Sequence, residues 1–595
     1  MFRLKKYLFR YKKELILGPF FKLWEAVFEL IIPLVMAKII DVGIASRDVG
    51  YVLRLGGVIL GLAAVGFCST LVCQYIAAKA SQGVGTDLRN DMFRHINTLS
   101  HGEIDRLGTS SLITRLTNDI NQYQMGVAML IRLAIRTPFL VIGSAIMALT
   151  IDVWLSLVFF AAIPLIAVVL FFIMAKASPM YVTVQRKLDR VSLLTRENLS
   201  GSRVIRAFSK QRQAEQTFSD AVEDQTAAAV RVARISALMN PAAYAIMNLA
   251  IVAIVWFGGY RVFDGALSQG QIIAFVNYMM QILAALLAMA NIILIFTKAA
   301  ASAQRIADVF DTKPSVVSGA NQAVSVTGEA PVVRFKDVCF SYSATAPPSR
   351  GCIRCPSALS YSATGENALT DISFDLNLGQ TLGIIGATGC GKSTLVQLIP
   401  RFYDVTSGTV EVDGIDVRQY DLQVLRKKIG MVPQSAVLFS GTIRSNLLWG
   451  NESASDEDLW QALRIAQAED FVRSFGGLDR KVLQGGKNLS GGQRQRLTIA
   501  RALVRHPRIL ILDDSSSALD YATDLALRSA IRKISEQMAV IIVSQRAASI
   551  LSADHILVMS NGQIEGRGTH EQLLESCAEY RQICESQLSQ EAKTL

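Results

Sequence analysis

Six apolar stretches in the first 300 residues constrain this chain more than any other feature. They run over about 15–40, 55–78, 127–151, 153–175, 236–259 and 271–297. Each reaches the roughly 20 residues that an α-helix needs to cross about 30 Å of hydrocarbon. Backbone in lipid has no water to bond, so such stretches read as membrane helices. The rest of the 595 residues alternates strand-like and helix-like patterns. The expected architecture is therefore a helical membrane domain over 1–310, a Ser-, Val- and Gly-rich linker over 311–331, and a soluble α/β domain over 332–595.

The connections alternate in length. Those at 41–54, 152 and 260–270 are short, whereas those at 79–126 and 176–235 are long, polar and rich in Lys and Arg. The positive-inside rule then puts both termini, both long connections and the soluble domain in the cytoplasm, with the spans in the cell membrane. The same bias accounts for the net charge of +11 without nucleic acid. Residues 1–14 carry Arg3, Lys5, Lys6, Arg10, Lys12 and Lys13, and are expected to lie as an amphipathic segment on the cytoplasmic leaflet. The long connections read as helical extensions. Each turns at a short transverse piece, over 109–116 in the first and from 203–208 into a polar helix ending near Phe218 in the second.

Charges interrupt two of the spans. Glu25 and Glu29 are four residues apart on one face of the first, with Lys22 just before them; Arg132 and Arg136 are four apart in the third. Charge inside a membrane is expensive and needs a partner, water or a ligand. Two readings stand side by side. One of the glutamates lines a polar cavity and meets a cationic substrate, or both belong to a structural ion network with Lys22 and the arginines.

In the soluble half, Gly386-Ala387-Thr388-Gly389-Cys390-Gly391-Lys392-Ser393-Thr394 is a G-x-x-x-x-G-K-S loop between a strand-like run and a helix-like run. Its backbone N–H groups and the helix N-terminus favour phosphate. ATP with Mg²⁺ is the expected ligand, Lys392 reaching the β- and γ-phosphates and Ser393 ligating the metal. The apolar run 509–512 ends in Asp513, placed to hold Mg²⁺ through water, and is followed by Asp514. Ser490-Gly491-Gly492-Gln493 opens another helix and makes a second anion site. One domain does not need two such sites for one nucleotide. A dimer resolves this, with the Ser490 turn closing on ATP held by the partner's P-loop.

With the P-loop, the Leu489-Ser490-Gly491-Gly492-Gln493 turn, the Asp-terminated strand and six spans, nearly the whole chain resembles an ATP-binding-cassette (ABC) half-transporter of the exporter type. The resemblance implies ATP-driven export by two such chains. Gln434 resembles the Q-loop glutamine, which senses Mg²⁺, and Asp520 the D-loop aspartate. An aromatic residue should stack on adenine: Tyr342 ends the first strand, Tyr361 has the family-like distance to Lys392, and Tyr342 is preferred.

Three departures from the family pattern carry further expectations. Asp514 stands where such domains have the Glu that orients the attacking water, Gln545 where they have a His contacting the γ-phosphate, and Gln484 where they have a Glu before the signature. Gln donates a hydrogen bond but carries no charge. A catalytic group displaced by about 1 Å can cost roughly 10²-fold in rate. The chain thus resembles the degenerate-site subunit of a heterodimeric bacterial multidrug or peptide exporter. Its own site binds ATP and hydrolyses it slowly, while Ser490 to Gln493 serve a second half-transporter. A slow homodimer and an ATP-gated protein that pumps nothing are the rivals, and the substrate expected is a small amphipathic molecule or peptide.

One stretch fits none of this. Ser341-Tyr342-Ser343-Ala344-Thr345 recurs as Ser360-Tyr361-Ser362-Ala363-Thr364, with Cys352 and Cys355 between the copies. Those cysteines are incidental to a loop, or form a regulatory thiol pair or metal site. The eight cysteines follow no disulfide framework, as expected in a reducing cytosol.

Overall fold

The computed structural model of the chain describes residues 4–321, 330–342 and 367–591. Tyr361, Cys352, Cys355 and the repeated motif from Ser343 onward lie outside the described residues. The chain forms two units, Met1–Asn97 with Ser110–Thr312, and Thr98–Thr109 with Lys313–Leu595.

The first unit is helical. Five continuous stretches are long and apolar enough to cross a membrane: Val49–Ile96, Thr109–Ile151, Val153–Ser200, Gln211–Phe263 and Gln269–Asp311. Lys12–Lys38, a helix of 27 residues, is not among them, because Lys22, Glu25 and Glu29 break its apolar run. At about 1.5 Å per residue, a helix the length of Val153–Ser200 runs roughly 70 Å, more than twice the hydrocarbon thickness. Long polar connections are therefore continuations of the spans. Helix starts follow capping chemistry: the side chains of Asp48, Asp152 and Ser268 accept the N–H groups of Tyr51, Leu155 and Gln271. Leu238 separates Gln211–Ala237 from Met239–Phe263, just ahead of Pro241, whose missing N–H would have broken the ladder there. Ala26, Ala148, Ala162, Ala243 and Ala274 are wholly or nearly buried where the helices pack, and Tyr278 donates to the Leu30 carbonyl at 2.7 Å. Small residues let helix backbones approach closely where lipid supplies no hydrophobic drive.

The basic amino-terminal segment is held by contacts within the protein. Its helix Lys5–Arg10 packs on Val49–Ile96: Tyr7 donates to Asp91 at 3.0 Å, and Arg10 and Tyr11 donate to Asp87 at 2.9 and 3.3 Å. Gly83 makes the room, since a Cβ there would lie 2.3 Å from the Tyr11 hydroxyl. Lys5, Lys6 and Phe9 face outward.

The second unit is built on a six-stranded sheet, in the order Gln563–Gly568, His555–Ser560, Thr381–Gly386, Ala539–Val543, Ile509–Asp513, Ile429–Val432. The five strands after the first run parallel, and their apolar residues are buried on both faces. A four-stranded antiparallel sheet contains Val333–Phe340, and a helical region includes Asp456–Ile465 and Gly491–Leu503.

Three expectations need correcting. The transverse piece of the first long connection is not 109–116, which begins the next long helix. A separate short helix, His101–Leu107, precedes it and belongs to the second unit. Ser100 and Glu103 cap each other there, and Gly108 at φ +74 ends it. His101 stacks on Phe402 with centroids 4.4 Å apart, and Tyr403 donates to Asp105 at 3.0 Å. In the second connection Ser202–Ala207 is a short helix, and the polar helix after it runs over Gln211–Ala237 rather than ending near Phe218. The linker also shortens, since Gly319 and Asn321 bond the backbone of the second unit at Tyr420 and Gln419.

Candidate functional site: a nucleotide cavity at the strand ends

In parallel α/β sheets, ligands collect beyond the carboxyl ends of the strands. Four strands of this sheet end on the same cavity of about 250 Å³, lined by Tyr342, Thr388, Gly389, Gly391, Lys392, Ser393, Thr394, Gln434, Asp513, Asp514 and Gln545, among others. Thr381–Gly386 runs into the P-loop, Ile509–Asp513 ends in the acid pair, and Gln434 and Gln545 follow Ile429–Val432 and Ala539–Val543. Gly386 and buried Cys390 sit in the loop beneath, in backbone contact with Met559 and Gly562 respectively.

The loop turns at Gly391 with φ +99, where a Cβ would come within 2.8 Å of the Ala368 carbonyl. Only glycine fits such a turn without strain. Lys392 is buried and folds back, its Nζ donating to the carbonyls of Gly386 and Ala387 at 2.8 and 2.7 Å. Ser393 donates to Asp513 Oδ1 at 2.9 Å. Burial, and then the Asp514 carboxylate next to it, push Asp513 above the usual range, while Ser393 pulls the other way. These oxygens suit a hard cation. Among the described residues no group of three or more His, Cys, Asp or Glu side chains could hold an ion alone. Mg²⁺ here would use few protein ligands and complete its shell with phosphate and water.

Asp514 sits in the left-handed region at φ +45. One of its oxygens, Oδ2, receives two amides, Gln434 Nε2 at 3.3 Å and Gln545 Nε2 at 3.4 Å. The Gln545 side-chain oxygen, Oε1, in turn accepts from Thr388 at 3.4 Å. Burial raises the Asp514 carboxyl above its ordinary value, and the Gln434 bond lowers it less. Two of the three departures, Asp514 and Gln545, are thus hydrogen-bonded to each other. A further residue holds this group and is invisible to motif reading: Gln587, in the C-terminal helix, donates to the Gln545 carbonyl and accepts from the Ala547 N–H, both at 2.8 Å.

Tyr342 shares a hydrogen bond of 2.9 Å with Thr394 and lies edge-on to Phe340 and Tyr403. It is half exposed at the cavity wall.

The signature residues are elsewhere. Ser490 caps Gly491–Leu503, accepting from Gln493 N–H, while the Gln493 side chain accepts from Ser490 N–H at 2.9 Å. Ser490 and Gly491 are exposed, and none of Ser490, Gly491, Gly492 and Gln493 lines the cavity described above. Asp520 caps Tyr521–Ile534 through Thr523 N–H, which holds its carboxyl below the usual range. In the membrane unit Lys22 pairs with Glu25 at 2.6 Å, Thr70 donates to Glu25, and Arg136 pairs with Glu29 at 2.6 Å. Both glutamates are therefore taken up by neighbours. The free cysteines include Cys68, Cys73, Cys339, Cys390, Cys577 and Cys584.

Comparison with known proteins gives the lineage. Residues 15–286 match the family described as ABC transporter transmembrane region, and residues 369–517 match the ABC transporter family. An uncharacterized ABC transporter ATP-binding protein of Mycobacterium tuberculosis is 36% identical over 98% of this chain and 97% of its own. An ATP-dependent lipid A-core flippase of Syntrophus aciditrophicus is 29% identical, over 87% of this chain and 84% of its own. A solved bacterial Atm1-family ABC exporter with ATP bound has a similar fold, with a TM-score of 0.76, 22% identity, and 97% and 98% of the two chains covered. The chain belongs to the ABC transporters, with the exporter arrangement of one membrane region fused to one ATP-binding domain.

Proposed function

We propose that this chain is one half of an ATP-driven exporter, with six membrane spans, in the cytoplasmic membrane. Lys12–Lys38 is the sixth span, its charges satisfied inside the helical unit. The soluble domain lies in the cytoplasm. Two chains enclose two nucleotides. The partner is a second, different half-transporter, and the substrate is a small amphipathic molecule or peptide.

In this reading Lys392 leaves the Gly386 and Ala387 carbonyls for the β- and γ-phosphates, and Tyr342 stacks on adenine. Mg²⁺, when bound, neutralises phosphate charge; Ser393 and Asp513 hold it, with Gln434 beside them. Asp514 has the task of orienting water. The observation that carries the proposal is its setting: one oxygen shared by the Gln434 and Gln545 amides, Gln545 standing where the family resemblance implies a histidine. A carboxylate one methylene short, held by neutral donors, is a weak water-orienting group. The site therefore grips ATP and turns it over slowly. Ser490 to Gln493 complete the partner's site, and Asp520 lies beside that interface.

The test is ATPase of the purified chain alone, in nanodiscs, against ATPase after assembly with its partner. The proposal expects a slow lone chain and a fast pair. Brisk turnover by the lone chain would make it a working homodimer instead. Uphill flux in vesicles separates a pump from an ATP-gated protein.

A further inference from the structure

The membrane unit holds more positive charge than its carboxylates can pair. Lys22, Arg132 and Arg136 gather near Glu25 and Glu29. Lys22 belongs to Glu25, and Arg136 belongs to Glu29 with Glu25 at 4.0 Å. Arg132 is left over: among the described residues no acidic group pairs with it, and its Nε is buried with no hydrogen-bond partner. The Arg136 Nε is orphaned in the same way. Arg132, Lys22 and Glu25 each lie within electrostatic reach of Cys73.

The backbone at Arg132 is one of three π-type segments among the described residues of this unit, with Ile39–Ile44 and Arg115–Asp119. Leu130–Ala134 forms a wider π-type turn between Ile120–Met129 and Arg136–Ile151. Such turns insert one residue into a helix and re-aim its side chains, often at a functional site. A guanidinium with a buried, unused N–H inside a membrane domain calls for an oxyanion. The glutamates, being paired, offer little to a cation.

We infer that Arg132, backed by Arg136 and Lys22, binds the anionic headgroup, a phosphate monoester or carboxylate, of an amphipathic substrate. This rests on the exporter reading for calling the ligand a substrate; the binding itself does not require turnover. The site reverses the charge preference that the two glutamates suggest in the sequence.

The experiment uses the full chain in phosphatidylcholine nanodiscs. Radiolabelled dodecyl phosphate, dodecanoate and dodecyltrimethylammonium are titrated by equilibrium dialysis. Dodecyl phosphate or dodecanoate should bind at least about tenfold tighter than the cation, a charge-assisted contact being the difference. The two anions tell phosphate from carboxylate. Arg132→Gln should weaken the anion about tenfold or more, and Arg132→Lys should recover most of it. Glu29→Gln, by freeing Arg136, should tighten anion binding several-fold. A purely structural network predicts weakening in both neutralised variants, so loss of binding in Glu29→Gln overturns the inference. So does unchanged anion binding in Arg132→Gln, or preference for the cation. Basal ATPase in the same nanodiscs reads the exporter proposal separately: Arg132-dependent binding in a chain that never hydrolyses ATP, alone or paired, would keep the site and remove the pump.

Discussion

In the proposed function the P-loop cavity and the Ser490 turn are two halves of nucleotide chemistry carried by one domain, and they are built differently. The turn has everything an anion site needs: a mutual cap between Ser490 and Gln493, two glycines, exposure, and the start of a 13-residue helix. The cavity has its phosphate loop and Ser393–Asp513 contact, but its water-orienting end is an Asp tied to two amides. Under the proposed function, the difference marks which part of a site can be lost first. Binding uses many backbone donors and tolerates loss, whereas bond cleavage depends on one or two side chains placed to within about 1 Å.

The largest expected effect is at the turn. Gly491→Asp puts a carboxylate where an anion should dock; ATPase of the assembled pair should fall about 10²- to 10³-fold, the scale seen when one donor to developing charge is removed. Nucleotide binding by this chain's own P-loop should persist, and loss of both would erase the contrast. Next comes Asp514→Glu with Gln545→His, which should raise turnover at this chain's site roughly 10²-fold. The two residues share a hydrogen bond, so the single changes should not add. No gain in the double variant places the impairment elsewhere. Lys392→Ala should weaken ATP binding by about 10- to 100-fold, the roughly 1.5–3 kcal/mol of a charged hydrogen bond, measured by fluorescent-nucleotide titration. The smallest is Tyr403→Phe, which removes the bond to Asp105 and should lower unfolding stability by about 1 kcal/mol in a denaturant melt.

How much could be read in advance depended on how local each signal was. Gly391, Lys392 and Ser393 are adjacent, and their loop is specified by its own glycines. Asp513 ends a short apolar run that only a buried parallel strand explains. The departures at 514 and 545 were legible as residues, but their contact was not, because it joins neighbouring strands 31 residues apart in sequence. Gln587 is farther still, 42 residues from the carbonyl it holds, and carries no motif. The short helix His101–Leu107 is hard to place for a different reason. The apolar stripe at Leu112, Ile113 and Leu116 is the stronger pattern, whereas the Ser100–Glu103 capping box and Gly108 mark the short helix. The cation excess at Arg132 needed three-dimensional pairing, since Lys22 and Arg136 each had a carboxylate in reach and only packing decides who is left.

Asp514 turns through a backbone conformation that suits glycine better than any residue with a side chain. Trimming it to Asp514→Gly should therefore leave the protein folded, with an anion-sized gap between the Gln434 and Gln545 amides. Acetate added from solution could occupy that gap untethered. Faster turnover with acetate than in the parent protein would mean that the covalent leash, rather than the carboxylate chemistry, is what holds this site back.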